Sequence, residues 1–455
     1  MSEVVNQSLQ KIAKGTGIIL IGTIIGMLLG FVSRIITVRY ITQSEYGIFS
    51  LALVLMNIFV TISTLGLEEG AVRYIAYFRG KNEDGKVRGI ISSSIKIALV
   101  ASVIFSLILF LLADIISRNI FHTSELSTPL KIFSTAIPFT VLISIFASIF
   151  RGFDRVEPYV CFQNIMRNVA FILFLVTVAL LGLSFPGVIY AYLASITFTC
   201  IAFATYTLKK LPISLKGREN TKAGSMGKEL LLFSLPLLGP SVLGTIMSWA
   251  DILMLGYFKM PDAVGLYNTA LPLANLLPIF LSSVNFLYLP IMSQLYAERQ
   301  MEELKRSYAI LTKWIFAASL PVFLTLFLFP EAVLNLLFGS RYVGAAIALR
   351  ILALGYFVHA LFGPNGNTLV VMGKSKLVMW AVLVSVLINI ILNISLIPIL
   401  GIVGAAIASA SAFLIENVII AVTLYSLSKI QPCLLYTSDA ADDGESVDLG
   451  GRRII

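Results

Sequence analysis

Charge is scarce in this 455-residue chain: Asp, Glu, Lys and Arg make up 13% of it, against about 25% in a typical soluble domain. A surface that poor in charge cannot be mostly wet. Intrinsic disorder, a coiled coil, collagen and a soluble enzyme are thereby excluded. Cysteine is nearly absent as well. Cys161, Cys200 and Cys433 show neither a disulfide framework nor a metal-binding spacing. With only His122 and His359 present, a zinc site is not expected. There is no Walker-type phosphate loop, so the chain itself should not hydrolyse ATP. No selectivity-filter repeat is visible. No cleavable leader is expected, because Met1–Lys14 is polar and the apolar run after it is too long for a signal-peptide core.

Apolar residues fill the space, at 58% of the sequence. A bilayer core takes about 20 apolar helical residues per crossing. Twelve spans are expected, at roughly 16–38, 47–66, 89–117, 128–150, 158–183, 185–208, 229–257, 262–290, 308–338, 343–368, 375–399 and 401–428. Runs such as Val103–Ala113 are solidly apolar, without the period-two alternation of a transmembrane barrel. Helices also satisfy their own backbone in lipid. The fold class is therefore an all-α polytopic membrane protein.

The net charge of +9 reads as loop charge that sets orientation rather than as a nucleic-acid surface. Lys11, Lys14, Arg79, Lys81, Lys86, Arg88, Arg151, Arg155, Lys209, Lys210, Lys228, Lys305 and Arg306 fall in one set of loops, and Arg39, Arg118, Lys131, Lys259 and Arg341 in the other. The more basic side is cytoplasmic by this rule, which puts the N-terminus inside the cell membrane. The longest loop, basic and holding Gly217 and Gly224, divides the chain into 1–208, a linker at 209–228, and 229–432. The halves repeat. At offsets of 217–218, Gly22 matches Gly239, Tyr40 matches Tyr257, Gly47 matches Gly265 and Asn57 matches Asn275. Six spans per half make this a parallel repeat, typical of alternating-access carriers. Residues 433–455 break the pattern; Leu435–Asp443 and Val447–Ile455 look like translated read-through, the alternative being a disordered acidic tail.

Charges inside spans cost about 2.5–3.5 kcal/mol each at mid-bilayer, so each should face a partner or a wet cavity. Arg34 and Asp251 stand at repeat-equivalent positions. They either meet across the cleft when an outer gate closes, or Arg34 snorkels while Asp251 caps locally. Gln163, Asn164, Arg167 and Asn168 are three and four residues apart, hence on one helical face. A polar stripe with an arginine suggests a water-filled cavity, and the planar guanidinium suits phosphate. Asn57 and Asn275 are candidates for the same cavity. Lys96 and Arg350 could add charge to it or snorkel to the nearer surface. Glu416, beside Asn417, is a candidate coupling site for Na+ or H+, or the partner of a buried arginine. Gly22, Gly26 and Gly30 form a small-residue stripe, while Pro236, Pro240, Pro272 and Pro278 mark places where helices should bend or break.

At these residues the chain resembles the polysaccharide transporter family, within the multidrug/oligosaccharidyl-lipid/polysaccharide exporter superfamily. The resemblance rests on Phe31–Ala52, Arg151–Arg155 followed by Gln163, Asp251–Tyr257 followed by Gly265–Tyr267, Gly373–Lys376, and Gly401–Ala406. It implies two six-helix bundles related by pseudo-two-fold symmetry in a V-shaped exporter fold. It also implies a non-enzymatic flippase that carries a polyprenyl-pyrophosphate oligosaccharide to the outer leaflet, the phosphate being met by cavity arginines such as Arg34 and Arg167. Many members have fourteen spans, so two are expected to be missing here. The expected partners are a lipid-linked glycan and the bilayer, with the protein a monomer. A cation-coupled multidrug antiporter of the same superfamily is the alternative. It would want acidic residues in the first half, where arginine and lysine stand instead, apart from Glu68 and Glu69 at the inner end of span two. A glycan polymerase or ligase would want a long external loop, which is lacking.

Overall fold

A computed structural model describes residues 3–211 and 223–430. Most of the basic linker and the anomalous 433–455 segment lie outside the described residues. The described chain is helical throughout, without a strand. Ten of its helices are long and apolar enough to cross a membrane, or up to twelve if each of two bent helix pairs counts as one span. The protein is thus an all-α multi-pass membrane protein, as the apolar runs imply.

The chain forms two compact units, which divide at Asn268/Thr269 rather than at the linker; Leu337–Gly339 also joins the first unit. The first unit holds α1 (Glu3–Tyr40), α2 (Gln43–Ser63), α3 (Leu67–Gly80), α4 (Asp84–Ile115), α5 (Ser127–Ser134), α6 (Ile137–Gly152), a π-helix at Tyr159–Met166, α7 (Arg167–Leu180), α8 (Phe185–Lys210), α9 (Ala223–Phe258) and the first part of α10 (Pro261–Ala274). Here α9 packs on α2, α3 and α4, so the helix that opens the second sequence repeat is built into this unit. The second unit contains the rest of α10, α11 (Ile279–Ala297), α12 (Met301–Leu328), most of α13 (Pro330–Phe338), α14 (Ala346–Leu361), α15 (Asn365–Val371), α16 (Ser375–Leu400) and α17 (Ile402–Ser428).

Local sequence explains the ends and breaks that matter. Thr42 caps α2 in a full capping box: its side chain accepts from the Glu45 amide, and the Glu45 carboxylate accepts from the Thr42 amide at 2.8 Å. α10 opens on Pro261, whose missing N–H costs nothing at a first helical position. Span eight breaks after Ala274, bending by 51° before Ile279; Pro278 stands at the break, where the sequence leads one to expect it. The apolar run at 128–150 is likewise bent, by 44° between Ser134 and Ile137. α9, by contrast, continues as one helix through Pro236 and Pro240.

Candidate functional site

The α1 glycine stripe sets the first part of the site. A methyl group on Gly22 would lie 1.9 Å from Val160, and one on Gly26 would lie 2.9 Å from Asn164. Only glycine permits α1 to lie this close to the π-helix and α7. The approach lets Asn168 Nδ2 donate to the Gly26 carbonyl at 3.1 Å and Asn164 Nδ2 donate to Thr23 Oγ1 at 3.4 Å. The polar stripe of α7 is therefore divided. Asn164 and Asn168 hold α1 in place, whereas Gln163 and Arg167 have no hydrogen-bond or ion-pair partner among the described residues. Arg167 is near enough to Tyr192 on α8 for its charge to act on the phenol. Tyr192 itself is ringed by Phe49, Phe133 and Phe171, with centroids 5.3–5.8 Å away. A cation inside a span, with no carboxylate paired to it among the described residues, needs water or an anion. The π-helical turn just before it fits the tendency of such turns to occur at functional sites.

Arg34 occupies a second polar cluster, where α1, α2 and α10 meet. Its guanidinium donates to the Asn268 carbonyl at 3.4 Å. The Tyr46 hydroxyl donates to the same carbonyl at 3.3 Å, and Asn268 Nδ2 donates to Ser50 Oγ at 2.7 Å. Asp251 accepts from the Tyr267 hydroxyl at 2.5 Å. Periodicity gives the repeat-equivalent pair but does not reveal Asn268 and Tyr267 among their partners.

The cluster is held by a symmetric crossing of two helix N-termini. A methyl group on Gly47 would lie 1.9 Å from the Pro261 carbonyl oxygen and 3.1 Å from the Gly265 amide. One on Gly265 would lie 2.3 Å from the Gln43 carbonyl and 3.3 Å from the Gly47 amide. Gln43 and Pro261, Gly47 and Gly265, and Ser50 and Asn268 are each separated by the repeat offset of 218. Each helix thus offers its partner the equivalent glycine and the equivalent carbonyl. Gln43 Nε2 also donates to the Asp262 carbonyl at 3.1 Å.

The remaining candidates are dispersed. Asn57 contributes its backbone carbonyl to Thr61, and Asn275 is exposed in the break between α10 and α11. In the second unit, Arg350 donates to the Phe327 carbonyl at 3.0 Å and pairs with Glu331 at 3.1 Å, closing the end of α12. Glu416 lies beside Ser385 of α16. Its neighbour Asn417 donates to the Phe413 carbonyl at 2.7 Å, lies 2.8 Å from the His359 ring, and accepts from Asn365 at 3.2 Å. His359 is thus a satisfied helix contact. Asn389 of α16 donates to Ser409 of α17 and accepts from Asn393. No group of three metal-ligating side chains occurs among the described residues. Asn268 and Tyr192 escape sequence reasoning, as do the hydrogen-bonding roles of Tyr46, Ser50 and Tyr267. The 218-residue offset links Ser50 to Asn268 and was the one available signal.

The helical bundle, with arginines inside its spans, defines the class of multi-pass membrane proteins. Residues 12–296, more than half of the chain, match the family of polysaccharide biosynthesis proteins, and the chain belongs to that family. Residues 236–395 also match the MatE family. Among curated relatives, the probable low-salt glycan biosynthesis flippase Agl15 of Haloferax volcanii is 27% identical over 55% of this chain and 51% of its own length. Among solved structures, an inward-facing multidrug resistance MATE family transporter of the MOP superfamily is 17% identical, with a TM-score of 0.73 over 91% of this chain and 96% of its own. The lipid II flippase MurJ, in an inward closed conformation, is 16% identical, with a TM-score of 0.67 over 92% of each chain. The chain shares the exporter fold of these two proteins.

Proposed function

We propose that this protein is a flippase that carries a lipid-linked oligosaccharide, joined to a polyprenyl carrier through pyrophosphate, from the inner to the outer leaflet of the cytoplasmic membrane. Arg167 is the observation that carries the reading: a cation within a span, with no counter-charge paired to it among the described residues. Of the carboxylates in the first half, Glu69 pairs with Arg151 at 3.3 Å and Asp114 with Lys131 at 2.7 Å, while Glu68 lies beside Ser144 near the same Arg151. A wet site with that balance favours an anionic cargo over a cationic drug. Family membership and the glycan flippase among the relatives support the same reading. The N-terminus is on the cytoplasmic side, the reading that the basic loops favour. The Gly47–Gly265 crossing then belongs to the outer end, which must part for release as alternating access proceeds. No bond is made or broken in the cargo.

A second reading, a cation-coupled multidrug antiporter, is favoured by the MatE match over 236–395 and by the fold shared with the MATE transporter. In either reading Glu416 is the candidate site of a coupling Na+ or H+. Headgroup-labelled lipid-linked oligosaccharide in proteoliposomes separates the two. The flippase exposes the label to an external enzyme at a rate that depends on the protein. Cation-driven efflux of ethidium, with no labelled lipid crossing, would reverse the assignment.

A further inference from the structure

Arg73 lies on α3, away from both polar clusters. Three arginines at this end of the first unit can be compared. Arg79 is bonded to Asp154, and Arg151 is paired with Glu69 at 3.3 Å. Arg73 is exposed and has no ion pair or hydrogen bond among the described residues. Its guanidinium carbon lies 4.1 Å from the centroid of Phe233 on α9. The ring is fixed on both sides. Tyr74 meets it edge-on at 5.6 Å, and the Tyr74 phenol lies beside Glu229. The next residue, buried Ser234, sits in the groove opened by Gly66 and Gly70, where an added methyl group would lie 2.2 and 2.1 Å from its atoms. α3 and α9 therefore cannot slide without disturbing the platform.

Stacking orders the guanidinium plane and leaves its N–H edge free. An ordered, uncommitted arginine fork at the basic end of a membrane bundle matches phosphate better than it matches bulk water. We propose that Arg73, laid flat on Phe233, is a docking point for the phosphate of a lipid. That phosphate has two sources, the pyrophosphate of a polyprenyl-linked cargo or the phosphodiester of an anionic bilayer lipid. The first source rests on the flippase reading above; the second does not.

The test uses the full chain in phosphatidylcholine nanodiscs. Farnesyl diphosphate binding is measured by titration, and phosphatidylglycerol retention by native mass spectrometry. Arg73→Gln strands no carboxylate, so the variant should fold and elute as wild type. It should weaken the relevant probe by roughly 10–100-fold, the worth of hydrogen bonds to a charged group. Phe233→Leu should weaken it by roughly 2–5-fold through loss of stacking, and Arg73→Lys should fall between, keeping charge but losing the fork. Arg79→Gln, which removes an arginine already engaged by Asp154, should leave binding unchanged. Loss of farnesyl diphosphate binding assigns the platform to cargo; loss of phosphatidylglycerol alone assigns it to the bilayer. If wild type binds no farnesyl diphosphate but R73Q still loses phosphatidylglycerol, the flippase reading fails and the platform stands. Equal binding of both probes by wild type and R73Q, or equal losses in R73Q and R79Q, overturns the proposal.

Discussion

Alanine at position 47 probes the α2–α10 crossing with a single methyl group. The new carbon would lie 1.9 Å from the Pro261 carbonyl oxygen and 2.6 Å from its carbon. Comfortable contact needs about 3.5 Å, so the helices must separate there by about 1.5 Å. A shift of that size stretches the 2.7 Å bond from Asn268 to Ser50 beyond hydrogen-bonding range. Overpacking costs about 1–3 kcal/mol, and the lost hydrogen bond about 1 kcal/mol. Against this, alanine gains about 1 kcal/mol of helix propensity. The net penalty on the joined state is about 1–3 kcal/mol, or roughly 5–150-fold in the ratio of joined to parted forms. Disulfide formation between Gln43→Cys and Asp262→Cys in membranes reads that ratio, since Gln43 Nε2 is 3.1 Å from the Asp262 carbonyl. Gly244→Ala supplies the control, because its methyl group meets nothing within 4 Å. The cross-linking rate should fall for G47A and stay at wild type for G244A. Wild-type cross-linking and wild-type transport in G47A would show that the crossing is neither tight nor gating.

Arg167→Ala should abolish translocation of labelled lipid-linked oligosaccharide at normal expression, with Arg167→Lys retaining part of the rate; full activity in R167A would remove this residue from the mechanism. Gly22→Ala should lower thermal stability by about 1–3 kcal/mol through its clash with Val160. Val160→Ala in the same chain should restore most of the loss, and calorimetry of the two single variants and the double variant checks the coupling. Glu416→Gln should remove the dependence of transport on either the Na+ or the pH gradient without changing fold or yield. An unchanged ion dependence would take Glu416 out of coupling.

Much of the fold can be read from the chain because the bilayer imposes a simple rule on it. A solid apolar run must become a helix, and the described helices lie where such runs occur. Breaks follow equally local chemistry, as at Pro278, where the bend of span eight falls. Pro236 and Pro240 show the limit. The same residue type leaves α9 unbroken, since neighbouring helices can re-satisfy the freed carbonyls. Partner choice was mostly beyond reach. The spacing of 163, 164, 167 and 168 gives a common face on a regular α-helix, whereas Gln163 and Asn164 stand in the π-helix. It cannot tell which members of the face meet α1, because that depends on how closely Gly22 and Gly26 allow α1 to approach. For Arg350 the sequence leaves cavity charge and snorkelling open, and it does not show the pairing with Glu331 and the Phe327 carbonyl. The Arg73–Phe233 stack spans too much sequence to be seen without the structure.

Polarity inside a span is therefore a poor guide to function unless its hydrogen bonds are followed to their ends. A buried amide in a membrane helix has the same cost whether it serves packing or transport. What differs is the remaining valence. Asn164, Asn168 and Asn417 each donate to a neighbouring helix or to their own. They behave as glue of the kind that small-residue contacts allow. Arg34 is partly engaged, by a carbonyl at 3.4 Å, and retains further donors. Arg167, within a span and in electrostatic reach of the Tyr192 phenol, has no hydrogen-bond partner among the described residues. Of these two arginines, Arg167 has the larger unmet demand for a counter-charge. A carrier whose cargo brings two phosphates supplies that demand only while loaded. On the flippase reading proposed above, Arg34 is the arginine suited to change partners, because breaking a long bond to a neutral carbonyl costs less than breaking an ion pair.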